Sequence, residues 1–218
     1  MSNTIINPVT IIQSGGGGID TSKAQTLPYS WPINISPTAG PFWQNCVTTE
    51  GITIPPPFTE LTSADTWEIQ IAFITGFGIS SAYTPALFGP KNSGVTKDYI
   101  MIDTSWSYKK LNALIYPNGV ETWLQGTTQL SPSNIHYARL SYTGSKYKLE
   151  YSSDKGQTWN LEDELASSEA VSLDPGIIGN NMWSLGASRN NGYKLLWGAI
   201  DFEHTYFKKN GQIVWGIT

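Results

Sequence analysis

The stretch Trp67-Glu-Ile-Gln-Ile-Ala-Phe-Ile74 decides the class of fold, because large apolar residues occupy its alternate positions. Successive side chains of a β-strand point to opposite faces of a sheet, so a period of two predicts a strand with one buried face. Lys146–Tyr151 shows the same alternation, with tyrosine or leucine at every second position. These two segments predict a sheet that packs one face against a hydrophobic core.

Similar strand-length segments recur along the chain and are separated by turn residues. Pro117-Asn118-Gly119 forms one such turn, and Asn210-Gly211 is the strongest short signal for a β-hairpin. Further strands are predicted at Asp98–Asp103, Leu111–Tyr116, Val120–Leu124, His136–Tyr142, Met182–Ala187 and Leu195–Glu203. The only helix candidate is Leu161–Ser167. Many short strands without longer helical patterns between them predict an all-β fold, a β-sandwich or jelly roll.

The composition of the chain excludes several classes of function. It has 218 residues, of which 14% are charged and 39% hydrophobic, and a formal charge of -4. A nucleic-acid binder needs a basic field to neutralise phosphates, and a disordered chain needs low hydrophobicity with high net charge. No stretch approaches the roughly 18 consecutive apolar residues of a membrane helix. We therefore expect a soluble protein that binds neither nucleic acid nor membranes.

Residues 1–30 differ in composition from the rest of the chain. A short β-prone run is followed by four consecutive glycines, Gly15–Gly18. The apolar residues of that run are Ile5, Ile6, Val9, Ile11 and Ile12. Because a glycine tract is flexible, we predict that residues 1–30 form an arm or tether with a glycine hinge. Residues 31–218 are predicted to form a single sandwich domain.

Neither a metal site nor a cofactor site is expected from the sequence. Cys46 is the only cysteine, so it forms no intrachain disulfide, and with two separated histidines it does not make a zinc site. Asp98 and Asp103 with nearby carbonyls are a possible calcium site, but acidic residues at loop spacing are missing. The N-terminus has no secretory signal pattern, so we expect assembly in a cytoplasm.

Ser152–Trp159 has the spacing S-x-D-x-G-x-T-W of the Asp box, which is repeated in sialidases and related propellers. A hairpin turn explains this pattern physically. The Asp154 carboxylate accepts hydrogen bonds from backbone amides, Gly156 takes a positive φ, and Trp159 packs under the loop. A single copy cannot build a propeller, so the box predicts a stable turn rather than sialidase activity.

Ala199-Ile-Asp-Phe-Glu203 is similar to the E-x-D-x-E strand of laminarinase-type glycosidases. Alternate residues share one face of a strand. In the glycosidases, the three carboxylates of this strand therefore line a cleft, and the first of them is the nucleophile. Here the first position is alanine, and a retaining mechanism lacks its covalent partner. We therefore expect no enzyme. The pairs that a hydrolase would need, roughly 5–10 Å apart in a cleft, are Asp201 with Glu203 or Glu121 with Asp103.

Several aromatic, amide and arginine side chains are candidates for carbohydrate binding. Sugars stack their C–H faces on aromatic rings, while amides and guanidinium groups satisfy the hydroxyls. The candidates are Trp106, Tyr108, Trp123, Asn181, Trp183, Arg189 and Asn190. The alternative is that the tryptophans among them fill the core, as expected for Trp67, Trp159, Trp197 and Trp215. Exposure of the candidate tryptophans decides between the two interpretations.

The C-terminal half resembles the concanavalin A-like (laminin G-like) jelly-roll domains of bacteriophage tail, fibre and baseplate proteins. The segments that carry the resemblance, in chain order, are Tyr147–Trp159, Ile178–Asn181, Trp197–Phe202 and Thr205–Trp215. The match is good over residues 147–215 and weaker over residues 31–146. The N-terminal Ile-Asn-Pro-Val-Thr before the glycine tract is also similar to the starts of phage fibre proteins, in which an arm anchors the protein to the virion.

This resemblance implies a structural virion protein of the tail or head fibre type. It would be a homotrimer, attached to other virion proteins through the arm, that presents a lectin-like domain to a host cell-surface glycan. Many copies would then supply avidity to weak single sites. Two alternatives remain: a purely structural decoration protein without glycan binding, and a glycoside hydrolase of jelly-roll type.

Overall fold

The computed structural model describes residues 43–45, 52–75, 86–91, 95–104, 110–131, 134–179, 183–188, 194–196 and 198–216. The predicted arm, residues 1–30, lies outside the described residues. Among the described residues, no helix is long and apolar enough to cross a membrane.

More than half of the described residues lie in β-strands, and the described part of the chain has one short helix. In chain order the strands are β1 (Trp43–Asn45), β2 (Ile52–Ile54), β3 (Trp67–Thr75), β4 (Ala86–Pro90), β5 (Met101–Thr104), β6 (Lys110–Ile115), β7 (Thr122–Gln129), β8 (Ile135–Tyr142), β9 (Lys146–Ser152), β10 (Asn160–Ala166), β11 (Trp183–Leu185), β12 (Ala187–Ser188), β13 (Lys194–Leu195), β14 (Gly198–Lys209) and β15 (Gln212–Gly216). The helix, α1, spans Pro175–Gly179 and precedes β11.

The first sheet is antiparallel and has the order β1-β14-β3-β8-β9-β10, with β15 also paired to β14. Its central strand β3 is the stretch whose alternation predicted a strand. Trp67, Ile69, Ile71 and Phe73 point to the core and are at most 3% exposed. The last hairpin of this sheet, between β14 and β15, turns at Asn210 and Gly211, whose φ angles are +51° and +77°. Positive φ at both positions is what an Asn-Gly hairpin provides, which confirms that prediction.

The second sheet is antiparallel with the order β2-β11-β4-β5-β6-β7, and β12 and β13 form a separate pair. The two large sheets pack face to face, and aromatic rings from both of them meet in the core. The Phe88 ring from the second sheet stacks on Trp183 at 4.9 Å and contacts Phe207 of the first sheet at 5.0 Å. Phe207 in turn contacts Trp215 at 5.3 Å. This arrangement confirms the predicted all-β sandwich.

One edge of the sandwich is joined by carboxylates of β10 that bind the open edge of β7. Glu162 accepts hydrogen bonds from the backbone N–H of Thr127 and of Thr128, the latter at 2.8 Å. Asp163 Oδ2 accepts one from the N–H of Gln125 at 2.8 Å. Edge strands present unpaired N–H groups, and here side chains of the other sheet satisfy them.

Two sequence predictions about the fold are wrong. Leu161–Ser167 is not a helix, because most of it lies in β10, which runs antiparallel to β9 after the Asp-box turn. Sheet pairing outweighs the local preference of a charged, leucine-containing run. Trp159 is not in the core but half-buried beside Arg139, whose side chain points to the outer face of the first sheet. Trp67 and Trp215 are buried as predicted. Trp197 lies outside the described residues.

Candidate functional site

The outer face of the first sheet carries two rows of polar side chains across its central strands. The alternation that buries Trp67 and Ile69 turns the residues between them outward. The first row across β14, β3, β8 and β9 is Lys208, Glu68, Ser141 and Lys148, and the second is Tyr206, Gln70, Arg139 and Glu150. We refer to these eight residues as the outer polar face.

Glu68 and Arg139 are the centres of a hydrogen-bond and ion-pair network on the outer polar face. The Arg139 Nε donates to Glu150 Oε2 at 2.7 Å, and its Nη1 lies 3.9 Å from Glu68 Oε2. Lys208 Nζ lies 3.5 Å from Glu68 Oε1, and the Tyr206 hydroxyl donates to the same oxygen at 2.7 Å. Burial, then the bond to Glu68 and its charge, raises the pKa of Tyr206, so its hydroxyl stays protonated at neutral pH. The network holds donors and acceptors in fixed positions.

A depression of about 380 Å³ lies over this network. Its polar lining includes Glu68, Arg139, Lys148, Glu150 and Lys208. These side chains are partly exposed, so their remaining donors and acceptors face solvent. The depression therefore offers both signs of charge to a polar ligand.

The Asp-box turn between β9 and β10 forms as its spacing predicts. Asp154 Oδ1 accepts hydrogen bonds from Ser152 Oγ at 2.6 Å and from the Thr158 N–H at 2.9 Å. The bonds from the Ser152 hydroxyl, from the Thr158 hydroxyl to Oδ2 and from the Thr158 N–H lower the pKa of Asp154 to about 2. Gly156 has a φ of +76°, and a Cβ there would lie 3.0 Å from the Trp159 ring. The turn therefore packs closely on that ring.

Trp159 connects the Asp box to the outer polar face. The guanidinium carbon of Arg139 lies 4.1 Å from the Trp159 ring centroid, a cation–π contact. The Asp box is therefore structural, as expected. It positions the indole that supports the arginine of the outer polar face.

Most predicted carbohydrate-binding residues lie outside the described residues: Trp106, Tyr108, Asn181, Arg189 and Asn190. Trp183 is a correction, because it is 2% exposed and stacks on Phe88 inside the core, so neither face is open to a sugar. Trp123 is 39% exposed on β7, where its Nε1 donates to Glu121 Oε1 at 3.0 Å. The structure thus leaves Trp123 as a prediction and does not bring it together with Trp183.

The carboxylate pair Glu121 and Asp103 does not form a hydrolytic site. Asp103 is 1% exposed and pairs across β5 and β6 with Asn112, which pairs with Gln125 on β7. Glu121 lies four residues before Gln125 along the chain, and Gln125 lies two strands away from Asp103. Together these offsets separate the backbones of Glu121 and Asp103 by about 16 Å. Glycoside hydrolysis requires carboxyl groups about 5–10 Å apart.

The possible calcium pair of Asp98 and Asp103 is also separated. Asp98 precedes β5 with a φ of +57°, and its Oδ1 would lie 3.6 Å from a Cβ at Gly119. It lines a second depression, of about 390 Å³, together with Lys97, Glu169 and neighbouring residues. Asp103 instead lies within the second sheet beside Asn112. The structure does not place the two carboxylates around one ion.

Strand β14 leaves its register with β3 beside the outer polar face, and we call the irregular stretch between Asp201 and Tyr206 the excursion of β14. Asp201 pairs with Ala72 and Tyr206 pairs with Gln70, so five steps along β14 match two along β3. Thr205 stabilises this excursion, because its Oγ1 donates to the Asp201 carbonyl at 2.6 Å and accepts from the Ala72 N–H at 3.1 Å. The three extra residues change which side chains meet.

The excursion brings His204 to the carboxylates of Asp201 and Glu203. His204 Nδ1 lies 2.7 Å from Asp201 Oδ2, and the Glu203 N–H donates to Asp201 Oδ1 at 3.0 Å. One potential ligand atom from each of the three side chains lies within 4.8 Å of the others. Burial raises the pKa of Asp201 although the His204 bond opposes it. Sequence reasoning missed this cluster because a regular strand would send His204 to the opposite face.

No protein-family model matches the chain, and no curated protein matches its sequence. Several solved structures have folds similar to that of this chain. The CBM40 of the Ruminococcus gnavus IT-sialidase bound to α2,3-sialyllactose has a TM-score of 0.50 and 16% identity, over 76% of this chain and 91% of that one. Mouse laminin α1 LG4–5 has a TM-score of 0.43 and 12% identity, over 68% and 36% of the two chains.

The GH43 protein BlXynB of Bacillus licheniformis has a TM-score of 0.42 and 12% identity, over 67% of this chain and 28% of that one. At 16% identity the CBM40 structure establishes the fold alone. That fold is the concanavalin A-like jelly roll, as the sequence resemblance implied.

Proposed function

We propose that the protein is a non-catalytic glycan-binding module whose binding surface is the outer polar face. The observation that carries this proposal is the network of Glu68, Arg139, Glu150 and Lys208, which lines the depression of about 380 Å³. The Tyr206 hydroxyl extends the network through its bond to Glu68. A sugar needs several donors and acceptors in a fixed arrangement, and sheet strands hold them without loop ordering.

Two further observations support this proposal. The solved structure of the Ruminococcus gnavus CBM40 is described as bound to α2,3-sialyllactose, and its fold is similar to that of this chain. A retaining hydrolase needs a carboxylate nucleophile, and position 199 is alanine. Both favour binding without bond cleavage.

The setting that we propose is a bacteriophage virion, assembled in the host cytoplasm. The N-terminal arm would attach a homotrimer to other virion proteins, and each domain would bind a host cell-surface glycan. This setting rests on the sequence resemblance to phage fibre domains. Trimer valency would convert weak single sites into useful avidity.

A glycan array followed by calorimetry on the best ligand tests the proposal. Arg139→Gln and Lys208→Gln each remove a charge from the outer polar face and should weaken binding at least about tenfold, as expected for charged hydrogen bonds. Lys97→Gln removes the same charge from the other depression, and Trp123→Ala removes the predicted stacking ring. Both should retain binding within about twofold.

Four results would contradict this assignment. Equal loss in Lys97→Gln would move the site to the second depression, and loss confined to Trp123→Ala would move it to β7. Wild-type protein that binds no glycan would favour a purely structural decoration protein instead. Release of reducing sugar from a bound glycan would replace the proposal with a hydrolase.

A further inference from the structure

We propose that Asp201, Glu203 and His204 bind a divalent transition-metal ion of the Zn²⁺ class. The cluster lies on β14 next to the outer polar face and goes beyond the proposed glycan binding. Its three side chains supply one imidazole nitrogen and carboxylate oxygens within 4.8 Å of one another. A regular strand cannot do this, because residues 203 and 204 would point to opposite faces.

The charge of the cluster favours a cation. Among the described residues, the other acidic side chains beside it on the first sheet are paired with lysine or arginine, as in Glu150 with Arg139. Asp201 and Glu203 have no such partner in the described part of the chain, and the only ion-pair partner of Asp201 there is His204. With a neutral imidazole the cluster carries two negative charges, one of them on a side chain only 6% exposed. A divalent ion would neutralise both.

The donor set selects the class of ion. Ca²⁺ and Mg²⁺ take oxygen ligands, whereas an imidazole together with carboxylates suits Zn²⁺, Co²⁺, Ni²⁺ and Mn²⁺. Ligand atoms around one such ion lie about 3.0–3.5 Å apart, given bonds of about 2.1 Å. The 2.7 Å between His204 Nδ1 and Asp201 Oδ2 needs only a small widening. The exposed Glu203 side chain is free to complete the set.

Neighbouring side chains contact the ring of His204 and hold its backbone. The Tyr137 ring meets the His204 ring edge-on at 5.8 Å, and Gln70 Nε2 donates to the His204 carbonyl at 2.9 Å. Groups behind a ligand that hold its ring in place increase metal affinity. Gln70 Oε1 also lies 2.8 Å from the Tyr206 hydroxyl, so the excursion is connected directly to the outer polar face.

Calorimetric titration of the full chain with ZnCl₂, and absorption spectra with CoCl₂, test this site. A Cys46→Ser background removes the thiol as a competing ligand. We expect one ion per chain, visible Co²⁺ absorption, and a Zn²⁺-dependent rise of the unfolding temperature. His204→Asn can still donate to Asp201 but loses the imidazole, and Glu203→Gln keeps the shape but loses the charge.

Each of these two variants should bind Zn²⁺ at least tenfold more weakly, and Glu164→Gln, a matched acid on β10, should bind within twofold of the parent. Circular dichroism should show the same β spectrum for all of them. Absence of metal binding in the parent overturns the proposal. Equal affinity in the parent and both variants also overturns it, because the ion would then bind elsewhere. Glycan binding of the metal-free protein is measured separately, so each proposal can fail alone.

Discussion

Two buried carboxylates lie in irregular stretches of the same sheet, and their surroundings differ. Glu162 lies at the register shift of β10 and is 9% exposed, while Asp201 begins the excursion of β14 and is 5% exposed. Glu162 accepts four hydrogen bonds from the amides and hydroxyls of Thr127 and Thr128, which belong to the opposite sheet. Among the described residues, the Asp201 carboxylate accepts hydrogen bonds only from its own strand, from the Glu203 N–H and from His204 Nδ1.

The pKa values of the two groups shift in opposite directions for this reason. Burial alone would raise the pKa of Glu162, but the bonds from Thr128 and Thr127 outweigh it and lower the pKa. For Asp201 burial prevails over the bond from His204, and the pKa is raised. A carboxylate fully bonded by another sheet acts as a structural clamp. A carboxylate beside a second acid and an imidazole retains negative charge that a cation can neutralise.

The largest loss of stability is expected when the Glu162 side chain, the structural clamp between the two sheets, is removed. Glu162→Ala leaves the N–H groups of Thr127 and Thr128 without acceptors at the closed edge of the sandwich. We expect the free energy of unfolding to fall by about 3 kcal/mol, measured by urea denaturation. Glu164→Ala, on the same strand but exposed, should change it little. Equal losses of unfolding free energy in the two variants would show that Glu162 does not act as a structural clamp.

A substitution in the excursion of β14 should reduce the free energy of unfolding by less than the loss of Glu162 does. Thr205→Val keeps the shape of a buried side chain but removes the hydroxyl that joins the Ala72 N–H to the Asp201 carbonyl. The free energy of unfolding should fall by about 2 kcal/mol. Thr143→Val removes an exposed hydroxyl and is the matched control. If Thr205→Val is as stable as the parent, this hydroxyl does not hold the excursion.

The smallest effect is the difference in pH dependence between the two acids. A lowered folded pKa means that Glu162 stabilises the protein above its ordinary pKa of about 4.3, and that this contribution is lost as the pH falls below it. A raised folded pKa means that charged Asp201 destabilises the fold, and that acid relieves this cost. Urea denaturation from pH 7 to pH 3 measures both.

Glu162→Gln should therefore be less stable at pH 7 and lose less stability in acid than the parent. Asp201→Asn should be more stable at pH 7, by less than about 1 kcal/mol, and this gain should vanish as the pH falls through the raised pKa. Parallel pH profiles for the parent and both variants would show that the two carboxylates do not differ as described.

Local chemistry made much of the fold predictable. The alternation of Trp67–Ile74 and of Lys146–Tyr151 indicates the strands, since burial on one face leaves a period of two. The Asp box and Asn210-Gly211 indicate their turns because the required hydrogen bonds and positive φ angles are made within a few residues. Leu161–Ser167 was predicted wrongly because its charged pattern fits a short helix equally well.

The candidate sites depend on features that no local pattern contains. The outer polar face exists because the registers of β14, β3, β8 and β9 align Glu68, Arg139 and Glu150. Trp183 points into the core and stacks there on Phe88, and His204 reaches Asp201 because β14 has three extra residues against β3. Local sequence patterns therefore specify that this chain forms sheets and where many of its strands turn. Which polar side chains meet depends on the packed fold, because register and strand irregularities are set between segments distant in the chain.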